Sequence, residues 1–433
     1  MTSLSGAVSI SGIRSFNGET SVPGDKSISH RALLISALSE GTSRIRGLSN
    51  GGDVRATATL ISQLGAHVTQ DGEHIIVQGG RDRLGPPGDT LDVGNSGTLI
   101  RLAAGLVAGL GGRYRFTGDD SVNRRPMKRI FVPLSQMGAE IEASNNGDTA
   151  PFAITSKQLH GITYLMPVAS AQVKSSILLA GLGADGTTTV IEKIPTRRHT
   201  EEMLADAGAS INFERFPDRS EISVKRSKLN PLEYDIPGDP SQAAFWIVAA
   251  LITPGSKITI RNIYLGELRS DFLAVLKRMG AGLSINQRTR NSGDVTASSS
   301  QLHSTDISPH EIPGLIDEIP ILSVAAACAA GTTTITGASE LRVKESDRMS
   351  VLTTALRSFG AEVYELPDDM AISGNRRLFG GKVQAHLDHR IAMATAVLGA
   401  AVEGTTEISG FDSVESSYPR FLDDFTALSE GRL

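Results

Sequence analysis

Ser21-Val22-Pro23-Gly24-Asp25-Lys26-Ser27-Ile28-Ser29-His30-Arg31 sets a Pro-Gly turn ahead of Asp25, Ser27 and Ser29, each able to cap a helix, and then opens the apolar run Ala32-Leu33-Leu34-Ile35. This pattern predicts a helix N-terminus carrying Lys26 and Arg31. Free backbone N–H groups, the positive end of the helix dipole and two cations about one turn apart make such a terminus a site for phosphate or carboxylate. A nucleotide P-loop would need glycine immediately before its lysine. Asp25 stands there instead, and its carboxylate would repel a triphosphate. The expected guest is an anionic small molecule.

The same stretch leads to the fold because it recurs. Pro237-Gly238-Asp239-Pro240-Ser241 repeats its turn and cap ahead of another helix, 214 residues later by subtraction. Around these two points an Ala/Leu-rich run, a glycine and a short β-branched strand signal repeat along the chain. The runs are 32–40 before Gly41, 100–111 before Gly112, 177–185 before Gly186, 243–254 before Gly255, 321–330 before Gly331 and 391–403 before Gly404. By subtraction these glycines lie 71, 74, 69, 76 and 73 residues apart, longer than the usual solenoid period and suited to a duplicated supersecondary unit. A second pattern, an amphipathic helix ending on Gly-Ala before a strand, interleaves with the first at 61–68, 134–141, 204–211, 276–283 and 356–363. Its sixth copy, expected near Leu428, has decayed.

Each unit therefore holds two helices and three or four strands, an α/β unit. Runs such as Ser323-Val324-Ala325-Ala326-Ala327-Cys328-Ala329-Ala330 are apolar on every face and predict buried helices, with Cys328 a small core residue. Leu273-Ala274-Val275-Leu276-Lys277-Arg278-Met279 keeps a polar face for solvent. Three units on each side of the recurrence give two domains, residues 22–236 and residues 237–433. Residues 1–21 are expected to pair back onto the second through Ala7-Val8-Ser9-Ile10, so that the chain crosses twice at a hinge.

At 433 residues two domains also fit the size limit of a single core. A net charge of −5 and 5% aromatic residues argue against nucleic-acid binding. Cys328 is the only cysteine, so neither an internal disulfide nor a cysteine-based zinc site is expected, and a reducing cytoplasm fits. Met1 to Phe16 lacks the charged and apolar blocks of a targeting peptide, and no run is long enough to span a membrane.

The charged clusters fall at helix starts. Asp92-Val93-Gly94-Asn95-Ser96-Gly97-Thr98 ends a strand at glycine and offers caps to a new helix, leaving backbone near Gly97 open to an anion. Asn123-Arg124-Arg125-Pro126-Met127-Lys128-Arg129 packs four cations at a helix start signalled by Pro126, where they oppose the helix dipole unless an anion compensates. Ser170-Ala171-Gln172-Val173-Lys174-Ser175 precedes a buried-type helix, and Thr196-Arg197-Arg198-His199-Thr200-Glu201 opens another with a capping pattern. In the second half, Lys344 and Arg348 are four apart and predict a shared helix face beside Glu345. Asp317-Glu318 and Asp388-His389-Arg390 also precede buried-type helices. If the units pack with symmetry, these starts converge on one face of each domain, and two such faces across a hinge would form an anion-lined cleft.

Taken in order, Pro23-Gly24-Asp25-Lys26-Ser27-Ile28-Ser29-His30-Arg31, Gly94-Asn95-Ser96-Gly97-Thr98, Arg125-Pro126-Met127, Leu341-Arg342-Val343-Lys344-Glu345-Ser346-Asp347-Arg348 and Asp388-His389-Arg390 resemble the signatures of the 5-enolpyruvylshikimate-3-phosphate synthases, of the enolpyruvyl transferase group. The resemblance spans nearly the whole chain. It implies an α/β fold of two hinged domains, each an inside-out barrel of three βαβαββ units. It also implies transfer of the enolpyruvyl group of phosphoenolpyruvate to the 5-hydroxyl of 3-phosphoshikimate, with release of phosphate, on the route to aromatic amino acids. No cofactor and no metal are implied, and a monomer in the cytoplasm is expected.

By the same resemblance, Lys26, Ser27, Arg31, Ser170, Ala171, Gln172, Arg197, Asp317 and Lys344 should hold 3-phosphoshikimate. Lys26, Gly97, Arg125, Gln172, Arg348 and Arg390 should hold phosphoenolpyruvate, with the family's inhibitor glyphosate near the latter set. Ala171 stands where serine is frequent, and Ser416-Ser417-Tyr418-Pro419 stands where many members carry a lysine shortly before Phe-Pro.

Addition to phosphoenolpyruvate needs a proton at its methylene carbon and the loss of one from the attacking hydroxyl, and elimination reverses those demands. Asp317 is the candidate base on the hydroxyl, and Glu345 with Lys26 the candidates at the methylene, with His389 a fourth. The two substrates carry about five to six negative charges between them, which the clustered cations must offset. Two other readings stand beside this one. A UDP-N-acetylglucosamine enolpyruvyl transferase shares the fold but usually employs a loop cysteine, and a non-catalytic binding protein for phosphorylated metabolites would bind without turnover.

Overall fold

The computed structural model describes residues 3, 4, 6–374 and 376–429, with side chains from residue 6 onward. The chain forms two compact units, one of the residues up to Pro23 together with those from Pro237 on, the other Gly24–Ile236. Among the described residues each unit holds three four-stranded sheets.

One repeat shows how the sequence pattern becomes structure. Strand Leu91–Asp92 leads into helix Gly97–Leu110, strand Gly112–Thr117, helix Lys128–Gln136 and strands Glu140–Ala143 and Thr149–Ser156. Leu91 pairs parallel with Phe116, and Ile154 pairs antiparallel with both Tyr114 and Ile141. A parallel pair needs a crossover, which the Ala/Leu-rich helix supplies, and the result is βαβαββ. Three repeats take strands from elsewhere in the chain. Glu233–Asp235 runs parallel to Gly41–Arg46, Asn17–Thr20 parallel to Lys257–Tyr264, and Ala7–Ser11 antiparallel to Thr405–Ser409. The last repeat thus receives its antiparallel pair from Ser3–Leu4 and Ala7–Ser11.

The two helix types separate as their patterns require. Every residue of helix Ile319–Ala327 is buried, as is Pro240–Ile252 from Pro240 through Leu251. Helix Gly52–Leu64 buries only one stripe, including Val54, Thr57, Leu60, Ile61 and Leu64. Such helices end on Gly65, Gly138, Gly208, Gly280 and Gly360, all with positive φ. At Gly65 a Cβ would also overlap the Arg83 carbonyl, so the reversal needs glycine twice over.

One core expectation fails. Helix Ile319–Ala327 stops one residue short of Cys328, which sits at its C-cap and is exposed. The apolar run is continuous in sequence, but the helix turns off before the thiol reaches the core.

In the unit that contains the residues from Pro237 on, fully buried Trp246 stacks on Phe421 with ring centroids 4.8 Å apart, a contact of about 1 kcal/mol beyond its buried area. Its Nε1 donates to Tyr418 Oη at 2.8 Å, and the Tyr418 hydroxyl donates to Asp424 at 2.8 Å. The tyrosine at this departure from Phe-Pro is thus built into the core. Burial, with Asp424 beside it, holds its pKa well above the usual value.

Candidate active site

In the unit Gly24–Ile236, helix Lys26–Leu38 starts as its sequence dictates. Asp25 caps it, Oδ1 accepting the Ile28 N–H at 2.8 Å. Lys26 Nζ lies 2.9 Å from Asp53 Oδ2, with side chains 15% and 10% exposed, so the ammonium is held at the rim of the fold. Asp53, in the first turn of helix Gly52–Leu64, is a partner that sequence reasoning did not single out. His30 Nδ1 is 2.6 Å from Thr57 Oγ1. Burial, with Lys26 and Arg31 nearby, lowers the His30 pKa far enough to keep it neutral.

Arg31 is buried and fully engaged. It donates from Nε to Thr200 Oγ1 at 2.7 Å, from Nη2 to Ser175 Oγ at 2.7 Å and from Nη1 to the Ser27 carbonyl at 2.9 Å. Burial lowers its pKa to about 10, against the pull of Glu201 and Asp25, which leaves it cationic at neutral pH.

A second cluster forms around helix Gly97–Leu110. Ser96 caps it by accepting the Leu99 N–H at 3.2 Å. Of the four-cation segment only Arg125 is buried; Arg124 and Lys128 are exposed, and the helix begins at Lys128, after Pro126, because Met127 occupies the cap. Arg125 Nη2 donates to Asn95 Oδ1 at 3.4 Å and Ser121 Oγ at 3.2 Å. A Cβ on Gly97 would overlap the Arg125 guanidinium, so glycine is what lets the two approach. Gln172 donates to Thr98 Oγ1 at 2.9 Å and accepts from Arg101 Nη1 at 2.9 Å. Arg101 also donates to the Gly97 carbonyl at 3.0 Å and the Pro126 carbonyl at 3.3 Å, which joins Gly97, Gln172 and the residue after Arg125 through one side chain. The sequence reading passed over Arg101 because i to i+4 contact with Gly97 is legible in a helix but contact with Gln172 and Pro126 is not.

Ser170 caps helix Ala171–Gly181, accepting the Val173 N–H at 3.4 Å, which leaves Ala171 and Gln172 partly exposed on its first turn. The capping pattern expected at Thr196 is absent. Helix His199–Asp206 has Arg198 at its N-cap with no side-chain cap bond, because the Thr196 hydroxyl donates to Glu192 instead. Arg197, partly exposed, precedes this helix.

In the other unit Arg348 is the centre. It is fully buried, donating from Nε to Asp388 Oδ2 at 2.9 Å and from Nη2 to Glu345 Oε2 at 2.5 Å. Burial opposes its charge, but Asp388 and Glu345 more than offset that and raise its pKa. Its buried Nη1 has no hydrogen-bond partner among the described residues. The shared helix face expected for Lys344 and Arg348 is not formed. A 3-10 turn, Ser339–Val343, ends before Lys344, and the α-helix starts only at Arg348, capped by Asp347. A bend brings the two cations within electrostatic range instead. Burial lowers the Lys344 pKa and Arg348 lowers it further, with Asp317, Glu345 and Glu340 opposing.

Arg390, 5% exposed, donates to the Asp317 carbonyl at 2.9 Å, and its Nη2 lies 3.8 Å from Asp317 Oδ1. The adjacent pair Asp317-Glu318 divides. Asp317 keeps 22% of its side chain exposed, whereas Glu318 is buried against Arg269, Nη1 to Oε1 3.0 Å. His389 is 3% exposed, on the first turn of helix His389–Ala401 behind the Asp388 cap. Ser416 donates to the Ser413 carbonyl at 2.7 Å, at the place where the resemblance led to a lysine.

The family model described as EPSP synthase (3-phosphoshikimate 1-carboxyvinyltransferase) matches residues 10–425. A protein of Synechococcus sp. (strain JA-3-3Ab) named 3-phosphoshikimate 1-carboxyvinyltransferase is 45% identical over 422 residues, 96% of this chain and 95% of its own. One of the same name from Carboxydothermus hydrogenoformans is 45% identical over 96% of this chain and 98% of its own. The solved structure of EPSP synthase from Acinetobacter baumannii superposes with a TM-score of 0.85 at 36% identity, covering 98% of each chain. The enolpyruvyl transferase NikO from Streptomyces tendae shares the fold, with a TM-score of 0.76 at 18% identity over 97% of this chain and 96% of its own.

Proposed function

The chain belongs to the EPSP synthase (3-phosphoshikimate 1-carboxyvinyltransferase) family, a family of shikimate-pathway transferases, and from that premise we propose how its residues carry the reaction. In this reading 3-phosphoshikimate is held by Lys26, Ser27, Arg31, Ser170, Ala171, Gln172, Arg197, Asp317 and Lys344. Phosphoenolpyruvate is held by Lys26, Gly97, Arg125 and Gln172 with Arg348 and Arg390. The observation that carries this reading is the buried Arg348 guanidinium. Two carboxylates fix its plane while Nη1 is left as an unused donor, an arrangement suited to a carboxylate or phosphate oxygen.

The chemistry follows from where the carboxylates stand. Asp317, partly exposed and 3.8 Å from the Arg390 guanidinium, takes the proton of the 5-hydroxyl as its oxygen attacks C2 of phosphoenolpyruvate. A proton reaches C3 from Glu345 or Lys26, giving a tetrahedral intermediate. C3 then returns a proton, the C2–O bond to phosphate breaks, and inorganic phosphate leaves with the enolpyruvyl ether behind. His389, almost wholly buried, would act only through a neighbour. The cations offset the charge of both substrates throughout.

We assign the enzyme to the cytoplasm as a monomer. The lone Cys328 suits a reducing compartment, and among the described residues no helix is long and apolar enough to cross a membrane. The test of function is phosphate release on mixing the protein with both substrates. Release that survives unchanged in Asp317→Asn would remove the base assignment, and binding without release would favour a non-catalytic protein.

A further inference from the structure

Behind Arg31 and Arg197 lies a buried ionic cluster that the reaction does not use. Lys174 Nζ is 2.6 Å from Glu201 Oε1, 3.1 Å from Glu192 Oε2 and 3.3 Å from the Thr196 carbonyl. The three charged side chains are 0%, 3% and 1% exposed for Lys174, Glu201 and Glu192. Buried ion pairs seldom stabilise a fold more than apolar side chains of the same volume would, so stability alone does not account for one here.

Its connections give it a different role. The Thr196 hydroxyl donates to Glu192, and the Arg198 guanidinium stacks 3.9 Å above the Phe213 ring. Arg197 therefore projects from a segment pinned on both sides. Next to Lys174 in sequence is Ser175, and next to Glu201 is Thr200; these two hydroxyls, 2.6 Å apart, both accept from Arg31. The cluster thus faces both arginines. Burial raises the Glu192 pKa, which Lys174 and the Thr196 hydroxyl oppose, so the lysine favours the charged form that its 3.1 Å contact uses.

We propose that Lys174, Glu192 and Glu201 are positioning residues, an ionic clamp that sets Arg197 and Arg31 for the phosphorylated shikimate substrate. This rests on the reading above that those arginines hold 3-phosphoshikimate. The clamp touches no substrate itself, and it serves one substrate more than the other because Gly97, Gln172 and Pro126, the residue after Arg125, are tied together separately through Arg101.

The test is steady-state kinetics with each substrate varied, after the unsubstituted protein has been shown to release phosphate. Lys174→Met should raise KM for 3-phosphoshikimate about tenfold and leave KM for phosphoenolpyruvate within about twofold. Arg197→Ala added to Lys174→Met should cost less than Arg197→Ala alone, because the clamp acts through that side chain. Glu192→Gln keeps the shape and removes only the charge, so it should show the same selective pattern even where Lys174→Met does not fold. An equal rise in both KM values, no rise in either, or independent effects of Lys174→Met and Arg197→Ala would overturn the proposal. An unsubstituted protein that releases no phosphate would overturn the functional reading itself.

Discussion

Asp388 holds Arg348 with Oδ2 2.9 Å from the guanidinium Nε, and its Oδ1 caps the next helix by accepting the Arg390 N–H at 3.0 Å. One carboxylate thus orients both arginines assigned to phosphoenolpyruvate in this unit. Asp388→Ala leaves a fully buried guanidinium without its main counter-charge, so unfolding free energy should fall by about 3 kcal/mol. KM for phosphoenolpyruvate should rise more than that for 3-phosphoshikimate. Denaturant unfolding and kinetics check the two parts separately.

Lys26 and Asp53 form the corresponding pair in the other unit, 2.9 Å apart and still partly open to water. Asp53→Asn should lower stability by only about 2 kcal/mol, because the amide can still accept from a mostly buried ammonium that has lost its counter-charge. It should nonetheless raise KM for both substrates, since Lys26 is assigned to both. Equal KM values in Asp53→Asn and the unsubstituted protein would show that Lys26 needs no such support.

Gly97→Ala places a methyl group where the Arg125 guanidinium lies. Arg125 is a flexible side chain and can shift, so the fold should persist while KM for phosphoenolpyruvate rises about tenfold, the loss of roughly one charge-assisted hydrogen bond. Thermal unfolding close to that of the unsubstituted protein, with the raised KM, is the expected outcome.

Lys344 gives a pH dependence with a definite sign. Burial lowers its pKa, so its ammonium loses the proton at lower pH than an ordinary lysine would. Anion binding by that group is present below this pKa and is lost as pH rises through it. Log KM for 3-phosphoshikimate should therefore climb on the alkaline side before ordinary lysines titrate, and Lys344→Arg should flatten the rise. A profile identical in the two proteins would exclude Lys344 from the binding set.

How much of this could be read without coordinates depended on range. The repeat was legible because glycine reversals, alanine-rich helices and caps are local signals, as at Gly65, Asp25 and Ser96. Six units of two helices and three or four strands followed from them. What was not legible was contact between distant segments. Asp53 reaches Lys26 from 27 positions away, Arg101 reaches Gln172 from 71, and nothing in either local pattern marks the pairing. The failures had the same origin. Lys344 and Arg348 have helical spacing, but Asp347 caps the helix between them; Thr196 has a capping spacing, but its hydroxyl is taken by Glu192. Cys328 lay in a continuous apolar run whose helix ends one residue early.

The central claim is the proposed assignment of Arg197 and Lys344 to 3-phosphoshikimate. The most direct measurement is titration calorimetry of 3-phosphoshikimate into the unsubstituted protein, Arg197→Ala and Lys344→Ala. Each substitution is expected to weaken binding about tenfold or more, the scale of one lost charge-assisted hydrogen bond. Unchanged affinity in either variant would contradict it.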